Sequence, residues 1–317
     1  MRIIYAGSGH FAVPALRSIH AAGHEIAFVL TQPDRPAGRG KHPMPTPVRA
    51  MAQQLGLEVV AKEQVNSDEF VERVRSSGAV VGVVAAFGQK LGPDLLESLP
   101  AGWINIHASL LPAYRGAAPV HRAILDRVDQ TGVTVFKLVE RMDAGPILTV
   151  RRTGPKPDET TAELHDRLAA IGCDAVKAAL PLFADGIPDG TPQDEANVTF
   201  APKLNKTDGR IDFSRPAQVE AAHINGMWSW PGARCVFVTA DGSRTEPVTL
   251  ARARPAEVAE SRHDPQPGLI DDRLYVAAGE GFVELLEIKP EGGRIMTWPE
   301  FVNGRHVTAG DRFEPTT

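Results

Sequence analysis

Asn105 and His107 stand two residues apart, and Asp143 follows downstream in Met142-Asp143-Ala144-Gly145-Pro146. If Trp103 to His107 forms a strand, the Asn105 amide and the His107 imidazole leave the same face. Pro112 then stops regular structure. Asp143 arrives after one more helix and strand, in a Gly-Pro turn that reads as the end of a neighbouring strand. An amide donor, an imidazole and a carboxylate would meet at the carboxyl edge of a sheet, where open α/β sheets place their sites. Together they can donate hydrogen bonds and move a proton at neutral pH.

Each of these residues also has a plainer use. A lone histidine is commonly a satisfied core residue, and Asp before Gly-Pro commonly caps a turn. The position of His107 beside Asn105 and ahead of Ser109-Leu110-Leu111-Pro112 favours function for the histidine. Ser109 lacks the G-x-S-x-G elbow of a nucleophile. His10, His20, His24, His42, His107 and His121 show no metal-ligand spacing, so no metal is expected.

The elements that must position the trio alternate. Ile3 to Ala6 reads as strand, then a glycine turn, then a helix over Ala15 to Ala22. Glu25 to Thr31 is the next strand, and Val48 to Leu55 a helix. Gly78 to Ala86 is a continuous apolar run, as in a central strand buried on both faces. Trp103 to His107 and Gly132 to Val139 continue the pattern, and Thr160 to Ala184 is helical with Thr160 or Thr161 as cap. The expected fold is α/β, a doubly wound parallel sheet. After Ala184 the composition shifts. Short strands at 234–239, 248–253, 274–277 and 282–288, with Asp241-Gly242 as a hairpin signal, predict a small β-barrel or sandwich. The expected division is a catalytic domain over 1–189, a linker over 190–205 and a β-barrel over 206–317.

Two further segments draw attention. Gly7-Ser8-Gly9-His10-Phe11-Ala12 fits G-x-G-x-x-A after a strand, with Asp34 as a conceivable ribose ligand. However, Asp34 sits in the loop Gln32-Pro33-Asp34-Arg35-Pro36, and any tight strand-to-helix turn benefits from glycine. The segment 32–49 is rich in Pro, Gly and cations: Arg35, Arg39, Lys41, His42 and Arg49. Its length and charge favour phosphate contact over a merely solvated loop. Trp228, Trp230 and Pro231 read as core anchors of the second domain.

The 317 residues, 43% hydrophobic, suffice for about two domains, and the formal charge of −5 leaves any nucleic-acid contact to a local patch. Cys173 and Cys235 show no metal or redox spacing and are expected buried and reduced in a cytoplasmic protein. The chain opens directly on a strand, so neither signal peptide nor membrane span is expected.

The run from Asn105-Ile106-His107 through Tyr114-Arg115-Gly116-Ala117-Ala118-Pro119, with Met142 to Pro146, resembles the tetrahydrofolate-dependent formyltransferases, which carry Asn, His and Asp in this order and spacing. Thr31 to Lys41 and Met44-Pro45-Thr46-Pro47-Val48 resemble the insertion loop of the methionyl-tRNA formyltransferase family. Phe200 to Leu204, Arg210-Ile211-Asp212-Phe213, Trp230-Pro231-Gly232-Ala233 and Gly293 to Met296 with Phe301 and Gly304 resemble that family's second domain. Gly7 to Ala12 stands where the family usually has Gly-Thr-Pro-(Asp/Glu)-Phe-Ala, and Phe87 where it commonly has Tyr.

The resemblance implies formyl transfer from 10-formyltetrahydrofolate, as co-substrate and without a metal, to the α-amino group of methionylated initiator tRNA. It implies Asn105, His107 and Asp143 as catalytic residues. It implies a folate pocket along Phe87, Gly88, Leu91, Ser109, Leu110, Leu111 and Pro112. tRNA contacts fall to Arg35, Arg39, Lys41 and His42 in the loop and to Lys203, Lys206 and Arg210 in the second domain. The chain is expected to act as a monomer. The alternatives are a formyltransferase acting on an amino-sugar nucleotide or other small amine, a nicotinamide-linked dehydrogenase using the glycine turn, and a catalytically silent RNA-binding protein.

Overall fold

The structure is a computed structural model that describes residues 1–37, 42–257 and 266–316. Arg39 and Lys41 lie outside the described residues. In chain order the first part comprises β1 (Arg2–Gly7), α1 (Ala12–Ala21), β2 (Glu25–Thr31), the hairpin strands β3 (Arg35–Ala37) and β4 (His42–Met44), α2 (Pro47–Gln54), β5 (Val59–Ala61), α3 (Asp68–Arg75), β6 (Val81–Ala85), α4 (Pro93–Leu96), β7 (Trp103–His107), β8 (Arg115–Gly116), α5 (Pro119–Leu125), β9 (Thr131–Lys137), β10 (Ile147–Thr153), α6 (Thr161–Ala179) and β11 (Phe200–Ala201). Contacts divide the chain into two units. The first holds Met1–Pro119, Gln130–Thr153 and His165–Ala201; the second holds Val120–Asp129, Gly154–Leu164 and Pro202–Thr317.

The first unit is built on one sheet in the order β10-β9-β7-β6-β1-β2-β5. The five strands from β5 to β7 are parallel, with helices between them, as a doubly wound sheet requires. β6 is buried at all five positions. Gly82 within it is dictated by packing, because a Cβ there would lie 2.0 Å from the Trp103 ring. β9 departs from the expected pattern. It pairs antiparallel to β7, and β10 antiparallel to β9. Six of its seven residues are buried, and a strand buried on both faces carries no mark of direction.

That reversal changes how Asp143 reaches the site. His107 lies opposite Thr134, and Lys137 opposite Ile104, so β9 carries the chain toward the amino end of β7. The segment 138–146 must therefore fold back before Asp143 can meet His107. Asp143 itself has φ +50°, a left-handed conformation that Asp tolerates better than most residues.

The second unit contains the turn Lys206–Gly209, α7 (Ala217–Met227), β12 (Ala233–Val238), β13 (Thr245–Pro255), β14 (Val276–Ala277), β15 (Phe282–Pro290), β16 (Met296–Thr297), α8 (Trp298–Arg305) and β17 (Arg312–Pro315). Its strands form a near-closed antiparallel barrel in the order β14-β15-β13-β12-β17, with β16 on β15. Asp241-Gly242 does turn the chain between β12 and β13: Gly242 has φ +70° and donates its amide to the Thr239 carbonyl at 2.8 Å. The core is aromatic, with Phe237 edge-on to Phe301 at 5.3 Å and Trp298 stacked on Phe301 at 5.7 Å. Trp230 is not part of it. It is 48% exposed and Trp228 is half-buried, because both lie in the surface turn after α7; Pro231 alone of that trio is buried. Asn225 latches α7 to β13, donating to the Ala253 carbonyl and accepting from its amide, each at 2.8 Å.

Candidate active site

β7 carries Asn105 and His107 on one face. Asn105 is half-buried and its amide makes no protein hydrogen bond among the described residues. His107 is buried and oriented from both sides. Its Nε2 donates to the Tyr114 carbonyl at 2.9 Å, and its Nδ1 lies 3.8 Å from Asp143 Oδ2. The first contact fixes the ring, since a carbonyl can only accept. The second is too long for a hydrogen bond and leaves Nδ1 beside a carboxylate.

Asp143 is held more firmly than a turn cap would be. Its Oδ2 accepts the Gly116 amide at 2.8 Å. Its carbonyl and that of Gly145 both accept from Gln193 Nε2, each at 2.8 Å. Gln193 is fixed in turn by Arg115, which donates from Nη2 to Gln193 Oε1 at 2.7 Å and to Glu195 Oε1 at 2.9 Å. Arg141 also pairs with Glu195. Hydrogen bonding from Arg115, with the added charge of Arg141, holds the Glu195 carboxyl below its usual range. Arg115 is buried, so its position is set before any ligand arrives. Gly116 is required at its place: φ is +126°, and a Cβ would lie 2.6 Å from the Ala201 carbonyl across the β8–β11 pair.

Arg115, Gly116, Gln193 and Glu195 were not singled out from the sequence for the site. Arg115 and Gly116 stood within the quoted motif. Gln193 and Glu195 fall in the expected 190–205 linker. Residues 190–201 are instead part of the first unit, with Thr191 bridged to Ile147 and β11 paired to β8.

The expected folate-side residues divide. Phe87 and Leu91 are core residues, packed with Leu95, Trp103 and Phe28, so their side chains face inward. The backbone between them, including Gly88 at φ +84°, is what the loop presents outward. Ser109 and Leu111 are buried as well. Ser109 donates to the Ala113 carbonyl at 2.6 Å, and Leu111 donates its amide to Thr134 Oγ1 at 3.1 Å, which locks the turn containing Leu110 and Pro112. Val139 and Met142, flanking Asp143, are exposed at 41% and 67% and supply an open apolar surface beside the trio.

The amino-terminal glycine turn is occupied by protein contacts. Ser8 Oγ donates to the Phe87 carbonyl at 3.1 Å, and Gln32 Nε2 donates to the same oxygen at 3.0 Å. Asp34 is paired with Arg49 at 2.8 Å rather than left free for a ribose. Arg35 is exposed and donates to Gln32 Oε1 at 3.1 Å; His42 is in β4. Lys203, Lys206 and Arg210 are exposed in the second unit. Cys173 is half-buried and Cys235 buried, both unpaired. Among the described residues no group of three His, Cys, Asp or Glu is placed to hold a metal ion. No helix among them is long and apolar enough to cross a membrane.

Residues 1–180 match the family model for formyl transferase, and residues 203–306 match that for the formyl transferase C-terminal domain. A methionyl-tRNA formyltransferase from Heliobacterium modesticaldum is 40% identical over 99% of this chain and 100% of its own. The chain belongs to the methionyl-tRNA formyltransferase family. A member from Methylococcus capsulatus is also 40% identical, over 98% of this chain and 99% of its own. Among solved structures, the N-formyltransferase of Helicobacter canadensis, crystallised with folinic acid and dTDP-3-aminofucose, covers 93% of this chain and 99% of its own with TM-score 0.64 at 13% identity. HypX from Aquifex aeolicus in complex with tetrahydrofolic acid gives TM-score 0.62 at 17% identity, covering 95% of this chain and 47% of HypX. At these identities the structures share the fold, while the full-length relatives place the chain in its family.

Proposed function

We propose that this protein transfers the formyl group of 10-formyltetrahydrofolate to the α-amino group of methionylated initiator tRNA. The observation that carries the reading is the cluster itself: Asn105 with an unengaged side-chain amide, His107 with Nδ1 not hydrogen-bonded, and Asp143 3.8 Å away. The reaction needs these three capacities. The neutral amine attacks the formyl carbon, and negative charge grows on the formyl oxygen. Asn105 donates one hydrogen bond to that oxygen, and His107 in its doubly protonated form, with Nε2–H on Tyr114, donates another from Nδ1–H; removing one such donor typically costs about 3 kcal/mol. The attacking nitrogen becomes an ammonium as the bond forms. Asp143 takes its proton, directly or through water, and the proton is returned to the folate nitrogen as the carbon–nitrogen bond breaks. The bond broken and the bond formed are both amide C–N bonds, so the charges balance without a covalent enzyme intermediate.

The donor is assigned to the outward backbone of 86–90 and the surface of Val139 and Met142, with the locked turn 109–112 beneath the trio. Domain roles follow the same division: chemistry in the first domain, extended from the expected 1–189 to Ala201, and tRNA binding in 206–317. Arg35, Arg39, Lys41 and His42 would meet phosphates of the acceptor end, and Lys203, Lys206 and Arg210 the acceptor arm. The test is direct. The protein is incubated with 10-formyltetrahydrofolate and either methionylated initiator tRNA or a dTDP-amino sugar. Formylmethionine released from the tRNA is the expected product. Formylation of the sugar alone would replace this reading with the small-amine alternative.

A further inference from the structure

A cavity of about 400 Å³ lies wholly within the second unit, lined by Arg122, Thr207, Asp208, Arg210, Arg215 and His223 together with apolar side chains. Two of its three guanidinium groups are not neutralised. Arg122 and Arg210 make no side-chain hydrogen bond or ion pair among the described residues, and Arg122 Nε is buried without a partner. Arg215 is shared between Asp212 at 3.7 Å and Glu220 at 3.4 Å. The single carboxylate in the lining, Asp208, already accepts the Asn205 amide at 2.6 Å. Three guanidinium groups around one cavity call for anionic oxygens.

His223 adds a different requirement. It is 7% exposed, and its Nε2 is buried with no partner among the described residues. Its other ring nitrogen is hydrogen-bonded to the Arg210 backbone. Burial, reinforced by Arg215, lowers its pKa to about 4. The ring is therefore neutral at pH 7, and with Nδ1–H donating to a carbonyl, Nε2 holds a lone pair that seeks a donor. A phosphodiester has no hydrogen to give. A 2′-hydroxyl does, and it is the group that distinguishes RNA from DNA.

We propose that this cavity is a subsite for a ribose–phosphate unit of RNA, with the phosphate on Arg122, Arg210 and Arg215 and the 2′-hydroxyl on His223 Nε2. The proposal rests on the reading that the acceptor substrate is a tRNA, and adds Arg122, Arg215 and His223 to its contacts.

The test uses the full-length protein and uncharged initiator tRNA, as a natural transcript and as one carrying 2′-fluoro in place of every 2′-hydroxyl. Dissociation constants are measured over a salt series, separately from formylation. Arg122→Met keeps the side-chain stem and is expected to weaken binding about tenfold and to lower the salt slope by about one. Wild type is expected to prefer the natural transcript about fivefold, the worth of one ordinary hydrogen bond. His223→Phe should abolish that preference, and His223→Gln, which can still donate to Arg210 and accept from a ligand, should restore it. Wild-type affinity and preference in Arg122→Met and His223→Phe, with formylation intact, would overturn the subsite and leave the proposed reaction standing. RNA binding that depends on these residues without formylation would overturn the reaction and keep the subsite. Absence of RNA binding by the wild type would end both.

Discussion

Around Asp143 in the first unit, polar groups are partnered several times over: Gly116 on the carboxylate, Gln193 on two carbonyls, and Arg115 on Gln193 and Glu195. In the second unit Arg122 Nε and His223 Nε2, at a cavity, are buried without a partner among the described residues. The contrast separates two uses of buried polarity. A group that must be in place when charge develops is braced by protein, so that no reorganisation is needed during the reaction. A group whose partner arrives with the ligand is left incomplete, and the desolvation it bears is relieved by binding. One region should therefore show its defects in turnover, and the other in affinity.

The largest expected effect tests the braced side. His107→Ala should lower kcat by about a thousandfold while folate affinity, measured without tRNA, stays within about twofold, because its donor matters most as the oxyanion forms. Near-normal turnover of the purified variant would remove His107 from the chemistry.

Next comes a stability effect on the incomplete side. Burial raises Glu220 to about 7 from an ordinary value of 4.5, outweighing the nearby Arg215 charge, and among the described residues its Oε2 has no hydrogen-bond partner. The native state thus holds this proton more tightly than the unfolded chain. Its contribution is full below about pH 4.5 and is lost as pH rises through 7, a change of about 3 kcal/mol. His223, lowered to about 4 from 6.5, acts in the opposite sense: its contribution is present above pH 6.5 and is lost as pH falls toward 4. The wild type should consequently lose stability above pH 6.5. Glu220→Gln should instead gain stability up to that pH and hold a plateau beyond it. Urea unfolding at half-unit steps from pH 4.5 to 8 measures both curves, and parallel curves would contradict the assignment.

A smaller loss sharpens the distinction between touching the substrate and holding a residue that does. Gln193→Ala frees the Asp143 and Gly145 carbonyls and should lower kcat about thirtyfold with little change in the tRNA Michaelis constant. Gln193→Glu, which cannot donate to those carbonyls, should be no better. A rise confined to the Michaelis constant would make Gln193 part of the tRNA surface instead.

The smallest effect is placed in the basic loop. Arg39→Ala should raise the Michaelis constant for tRNA a few-fold and lower the salt slope of binding by about one, with folate affinity unchanged. Weaker folate binding with an unaltered salt slope would move the loop into the donor pocket.

Much of this arrangement is legible in the chain. The buried run at β6, the i and i+2 placement of Asn105 and His107, and the Asp241-Gly242 turn follow from periodicity and turn chemistry, since each is a local rule. The orientation of β9 does not follow, because a strand buried on both faces reads the same in either direction. The inward turn of Phe87 and Leu91 was hidden for a related reason: a motif names positions, while packing decides which face of the loop holds the side chain and which the backbone. Trp230 is exposed because it lies in a turn, although its size suggested the core. The brace was the least accessible feature. Arg115 and Gln193 are 78 residues apart in sequence, and a glutamine in a Pro-Gln-Asp stretch carries no periodic signal.

The placement of β11 bears on where the catalytic part of the chain can be cut. A fragment ending at residue 189 would retain Asn105, His107 and Asp143 yet lose the Gln193 amide, the Glu195 carboxylate and the strand that pairs with Arg115–Gly116. Under the proposed mechanism the machinery extends to Ala201, through residues that brace Asp143. A protease nicking the 190–199 stretch would act as an inactivator without removing one reactive group.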